Sequence, residues 1–200
     1  GQLLSNLSKS ENLANDSEKS KEAFSRFSKQ LDIATQEAAQ EAFLEVIPLS
    51  WQEKIEQPGN EERFPIRPVL LGGDDLTVII RADLAFNFTK AYLKAFEKKT
   101  EMHFKFMATD FKVKGFENGL TACVGIAYIK ESYPFHYGVH LAESLTSDTK
   151  TKLKNINNGN APSALSFYKV QSSFIEDLKS MKERTHFAKE AKVSFDYGPY

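Results

Sequence analysis

Two adjacent carboxylates, Asp74 and Asp75, follow two glycines, Gly72 and Gly73, between the apolar runs Val69-Leu70-Leu71 and Leu76-Thr77-Val78-Ile79-Ile80. Like charges this close repel each other unless a cation sits between them, and paired carboxylates suit a hard divalent ion such as Mg²⁺. Gly72 and Gly73 let the backbone bend sharply and let a ligand approach it closely. The competing reading is a plain turn, because Gly and Asp are ordinary turn residues. The flanks decide between the two. They are apolar enough for strands covered on both sides, and a solvent turn gains nothing from two crowded charges, so the metal reading is favoured.

The elements that would position these carboxylates can be read from the same stretch. Residues 66–71 and 76–81 are expected to pair as a hairpin, with Gly supplying the positive φ of its turn. Upstream, residues 1–47 read as helical, with a polar break at 12–20 and a long second helix ending at Pro48. Phe24, Phe27, Leu31, Ala34 and Ala38 recur along that helix at three- and four-residue spacing. Residues 48–65 form a connector, with a turn at Pro58-Gly59-Asn60 and Trp51 as its anchor. After the hairpin, Asp83 is expected to cap a helix with Phe86, Thr89, Leu93 and Phe96 on its inner face. An edge strand is expected at 103–107 and a turn at Asn118-Gly119.

Residues 120–129 are almost uniformly apolar and are expected to be a central strand beside the hairpin. A helix over 135–153 follows, with Val139, Ala142 and Leu145 inward. Then come a polar loop at 155–160, a strand at 164–170, a helix at 172–189 and an extended end at 193–200. The reading is one α+β domain over residues 1–200, comprising a helical start (1–47), the connector (48–65) and a core (66–200) with an antiparallel-rich sheet.

Composition narrows the classes. The chain has 200 residues, 41% of them hydrophobic and 12% aromatic, with 16 Phe, enough to bury a core. A formal net charge of −1 gives no general attraction to nucleic acid or to a membrane surface. Cys123 is the sole cysteine, which rules out an intrachain disulfide and fits a reducing, cytoplasmic setting. It lies in an apolar run and reads as a buried thiol. No run approaches the ~20 apolar residues of a membrane span, and the start lacks the pattern of a signal peptide.

At this point the order of motifs resembles a known family. Residues 67–79, Arg-Pro-Val-Leu-Leu-Gly-Gly-Asp-Asp-Leu-Thr-Val-Ile, resemble the signature hairpin of the palm in the large polymerase-like subunit of type III CRISPR effector complexes. Leu120-Thr-Ala-Cys-Val-Gly-Ile-Ala-Tyr-Ile resembles the palm's next central strand, and Tyr133-Pro-Phe-His-Tyr the start of its following helix. Residues 141–150 resemble the helix segment that in the family ends in Ala-Lys, with Thr149 in place of the Ala. Ser163-Ala-Leu-Ser-Phe-Tyr-Lys-Val resembles a later strand, and Gly198-Pro-Tyr a later Arg-Pro-Tyr.

The resemblance implies a ferredoxin-like palm of the kind found in nucleotidyl cyclases and GGDEF proteins. Such a palm joins nucleoside triphosphates through two Mg²⁺ (or Mn²⁺) ions, and in this family it makes cyclic oligoadenylates from ATP. It implies Asp74 and Asp75 as catalytic metal ligands and Gly72 and Gly73 beside the nucleotide. Lys150 would reach the triphosphate; its other reading is a solvated helix end shared with Lys152 and Lys154. The implied partners are ATP or another nucleoside triphosphate and the other subunits of a CRISPR ribonucleoprotein.

A βαββαβ palm has a strand before its first helix, carrying a further acidic ligand, and the chain begins where that strand would just have ended. It therefore reads as part of a longer polypeptide, poorly active by itself. Its sheet is expected to be open beside the hairpin, to a partner chain or a second copy.

His136 and His140 have the i, i+4 spacing of a metal pair, but Tyr137 stands where a zinc-protease helix has its glutamate, and no third ligand is evident. Packing or surface roles fit them better. Two functions from different classes remain: a nucleotidyltransferase palm, and a non-catalytic palm that binds a nucleotide or packs against partner subunits.

Overall fold

The computed structural model describes residues 16–49, 51, 64–156, 161–171, 177–185, 187–188 and 193–194. The fold is α+β and gathers into two compact units, Gly1–Thr121 and Ala122–Tyr200.

The first unit is built on two long helices. Helix α1 spans Ser17–Val46 and starts where the Asp16 carboxylate accepts a hydrogen bond from the Lys19 amide, satisfying one of the open N–H groups of the first turn. Thus 17–20 belongs to the helix and not to the expected polar break; residues 12–15 of that break and the short helix expected before it lie outside the described residues. Ala23, Phe27, Leu31, Ala34, Thr35, Ala38 and Ala42 are buried on one stripe, whereas Phe24, expected on that face, is exposed. The alanines allow close approach to helix α2, Ala82–His103, which buries Phe88, Thr89, Tyr92, Leu93 and Phe96. Phe86, expected inward, is exposed.

Asp83 does not cap α2. Arg81, two residues earlier, takes the carboxylate in a fork, with Nε and Nη2 at 2.8 and 2.6 Å, and the helix has no side-chain cap. The Arg81 guanidinium also lies over the ring of Trp51, 5.2 Å from its centre, so Trp51 is anchored as expected. The turn at 58–60 lies outside the described residues.

The edge strand expected at 103–107 is instead the end of α2 and a short helix α3, Lys105–Thr109. Phe104 and Met107, one helical turn apart, are both fully buried, and that three-residue spacing outweighs the apparent alternation. Phe27, Phe104 and Phe116 form an aromatic knot, with ring centres 4.9 to 6.0 Å apart, which is where part of the large Phe content goes.

The hairpin consists of strands β1, Ile66–Gly72, and β2, Asp75–Ile80, paired antiparallel from Ile66↔Ile80 to Gly72↔Asp75. The register shifts between Pro68 and Leu70, at the proline that has no N–H to donate.

The second unit is a βαβ element. Strand β3, Cys123–Tyr128, pairs in parallel with β4, Ala164–Lys169, and helix α4, Phe135–Ile156, connects them. Gly125 is required here, since a Cβ would collide with the Ala142 carbonyl and the Leu145 Cβ of α4. Leu141, Leu145, Tyr168, Val170 and Met181 form the core; Val139 and Ala142 are half-buried. Helix α5 is shorter than expected, Leu178–Thr185, and gives way to a small ladder of β5, Phe187–Ala188, with β6, Val193–Ser194.

The sheet also differs from expectation. Among the described residues there are three two-stranded ladders, β1–β2, β3–β4 and β5–β6. The 120–129 run forms β3 over Cys123–Tyr128 and pairs in parallel with β4. No described helix is long and apolar enough to cross a membrane.

Candidate metal and nucleotide site

The turn of the hairpin comprises only Gly73 and Asp74, between Gly72 and Asp75. Gly73 has φ +61°, at the first of the two turn positions, which type II′ hairpins reserve for glycine. Asp74 and Asp75 are exposed, and Gly72 and Gly73 are half-buried. The four residues singled out from sequence thus come together at one tip.

The strands beneath that tip are less buried than the sequence suggests. Val69 and Leu70 are 50% exposed and Ile79 43%, because a lone two-stranded ladder leaves its side chains uncovered. What steadies the turn comes instead from α1. The Gly73 amide donates to Asp32 Oδ1 at 3.1 Å, and the buried Thr35 hydroxyl donates to the Gly73 carbonyl at 2.7 Å. Asp32 Oδ2 accepts from Gln36 Nε2 at 3.0 Å. Thr35 also acts on Tyr92, which is buried on α2. Burial pushes its phenol up to about 12; a hydrogen bond with Thr35 works against that rise, and the charge of Asp74 adds to it.

Asp32 and Thr35 were not singled out from the sequence. One signal was there: Thr35 is a polar residue inside the apolar stripe of Leu31, Ala34 and Ala38.

Lys150 lies in the second unit, exposed on α4. Its charge and that of Lys154 act on Cys123, whose half-buried thiol is nevertheless pushed up by burial. His136 and His140 are exposed; the first packs against the Tyr137 ring at 4.0 Å and the second pairs with Glu143 at 3.5 Å.

Among the described residues no group of three or more His, Cys, Asp or Glu side chains is set to hold a metal. The donors at the tip are two carboxylates. That set is too small for a cage of protein ligands, but it fits Mg²⁺, which binds through one or two carboxylates and completes its shell with water and substrate phosphates.

A palm-type hairpin with an acidic tip on an α+β scaffold defines the class, and the family follows from comparison. Residues 1–158 match the family described as Cas10/Cmr2, second palm domain, and the chain belongs to that family. Comparison with the curated proteins finds no match.

Proposed function

We propose that this palm is a nucleotidyltransferase acting in type III CRISPR defence, joining nucleoside triphosphates and making cyclic oligoadenylates from ATP. The observation that carries the reading is the pair Asp74 and Asp75 at the tip of a two-residue turn whose glycine is held at both polar groups. Family membership supports it independently.

In the reaction, the 3′-oxygen of one nucleotide forms a bond to the α-phosphorus of another, the bond from that phosphorus to the bridging oxygen breaks, and pyrophosphate leaves. The proton of the hydroxyl passes to solvent. Bound Mg²⁺ supplies charge neutralisation and a more acidic hydroxyl. Asp74 and Asp75 would hold the cation, and Gly72 and Gly73 would present bare backbone to the nucleotide. The full reading is a single palm domain over residues 1–200 with a ferredoxin-like sheet, working in the cytoplasm beside other subunits of the complex.

One observation favours a second reading, a palm that packs against partner subunits without catalysis: Val69, Leu70, Leu71 and Ile79 leave an apolar surface on the hairpin. The same surface suits a second copy joined at the sheet edge. The test is Mg²⁺-dependent turnover of ATP by the intact protein, with products identified by mass. Asp74→Asn combined with Asp75→Asn should abolish it while the thermal melt is retained. Equal behaviour of wild type and double variant would leave the scaffold reading standing.

A further inference from the structure

Glycine is the most permissive residue in the backbone, so a metal-binding tip that pivots on Gly73 has to be stiffened from outside. The geometry at the turn does this. The Gly73 N–H belongs to the peptide plane shared with Gly72, and its carbonyl to the plane shared with Asp74. Asp32 holds the first plane and Thr35 the second. Fixing both planes fixes the φ and ψ of Gly73, and with them the direction in which the chain delivers Asp74 and Asp75.

The two gripping residues stand at i, i+3 on α1, one turn apart on the same face. Their own freedom is removed in turn. Gln36 holds the second oxygen of Asp32. Thr35 is fully buried, and its hydroxyl acts on the Tyr92 phenol of α2. The tip is therefore indexed to the α1–α2 pair and not to its own loosely covered strands.

We propose that Asp32 and Thr35 are positioning residues for the metal-binding carboxylates, setting Asp74 and Asp75 through the two peptide planes of Gly73 without themselves touching the cation. The proposal rests on the reading of Asp74 and Asp75 as metal ligands. It makes a chemical distinction. A carboxylate ligand at position 32 would lose most of its hold on a hard cation as asparagine, whose neutral oxygen is the weaker ligand, whereas a partner for an N–H needs only an oxygen, which asparagine offers as well.

The test uses the intact protein, with Mn²⁺ alone as the probe, followed by electron paramagnetic resonance. Asp32→Ala and Thr35→Val should weaken Mn²⁺ binding about tenfold, the loss typical when partners that orient metal ligands are removed. Asp32→Asn and Thr35→Ser, which keep the needed oxygen, should restore binding to near the wild-type level. Amide exchange at Gly73 should quicken in Asp32→Ala, and nucleotide turnover should fall in kcat with little change in KM.

The proposal is overturned if Asp32→Ala binds Mn²⁺ like wild type, or if Asp32→Asn is as weak as Asp32→Ala, which would make Asp32 a ligand. Should Asp32→Ala fail to fold, the Thr35→Val and Thr35→Ser pair decides by the same comparison. Asp74→Asn with Asp75→Asn sets the floor. A wild-type protein that binds Mn²⁺ above that floor yet turns over no nucleotide refutes nucleotidyl transfer, and the Mn²⁺ arm still judges the positioning. A wild type at the floor overturns the positioning as well.

Discussion

The Thr35 hydroxyl donates to the Gly73 carbonyl across 2.7 Å, joining a buried helix position to the turn 38 residues downstream. This bond couples the packing of α1 against α2 to the geometry of the acidic tip. Thr35→Val keeps the shape and removes the donor, so the Gly73 carbonyl loses its partner. The loss should be about 1 kcal/mol, the usual range for one hydrogen bond, read as a lower urea midpoint with an unchanged slope.

Tyr92 gives a prediction for alkaline pH. Its phenol is raised by burial from the ordinary value of 10.0 to about 12. A folded-state pKa above the unfolded one means that the folded protein holds the proton more tightly. The corresponding stability is present in full below pH 10 and is lost as the pH climbs toward 12. Urea melts from pH 9 to 12 should show this decline, and Tyr92→Phe should flatten it. Asp74→Asn should lower the Tyr92 pKa, because the Asp74 charge contributes to the rise.

The helix pair gives the opposite sign in acid. Glu37 is held below the usual carboxylate value first by its hydrogen bond with His103 and then by Lys99; Glu41 is lowered by Lys99 and Lys98. Depressed pKa values add stability that is present above the ordinary value of 4.5 and lost as the pH falls through the folded-state values. These carboxylates are 38% exposed, so each pair contributes less than about 1 kcal/mol. Glu37→Gln with Glu41→Gln should make the melting temperature less sensitive to acid, and raised salt should shrink the difference.

Much of this architecture was legible from the spacing of residues. The hairpin, its turn, and helices α1, α2 and α4 follow from apolar periodicity and from Gly72-Gly73, because each is a local pattern. Local pattern misleads where a distant or neighbouring group decides the outcome. Arg81 drew Asp83 away from its capping role, and burial of Phe104 and Met107 made a helix of an apparent strand. The parallel partner of β3 lies across a whole helix, beyond the reach of any local pattern. At the site, the acidic tip was evident, but its grip by Asp32 was not. A carboxylate on a helix flank looks solvated until the fold brings an amide to it.

Gly125 tests the second unit. Its missing side chain lets β3 lie directly on the α4 backbone, and a Cβ would collide with the Ala142 carbonyl. Backbone cannot swing aside as a side chain can, so Gly125→Ala should cost at least the ~1–3 kcal/mol typical of overpacking. The melting temperature of that variant, set against Gly138→Ala, is the check. The atoms nearest to a Cβ at Gly138 all belong to the Ile129 side chain, which can yield, so Gly138→Ala should be the milder change.

Gly73 separates backbone strain from steric space. A Cβ at this residue would meet no atom within 4 Å, yet its φ is +61°. Any cost of substitution therefore comes from the left-handed backbone alone. Asparagine tolerates that region better than alanine, and a β-branched residue tolerates it worst. Stability should thus fall in the order Gly73, Gly73→Asn, Gly73→Ala, Gly73→Val, with the alanine variant down by about 1 kcal/mol. If alanine and asparagine proved equal to glycine in urea melts, the turn would have relaxed out of its positive φ. The Thr35 hydrogen bond would then have moved with it, and the Gly73 amide exchange rate would rise in the same variants.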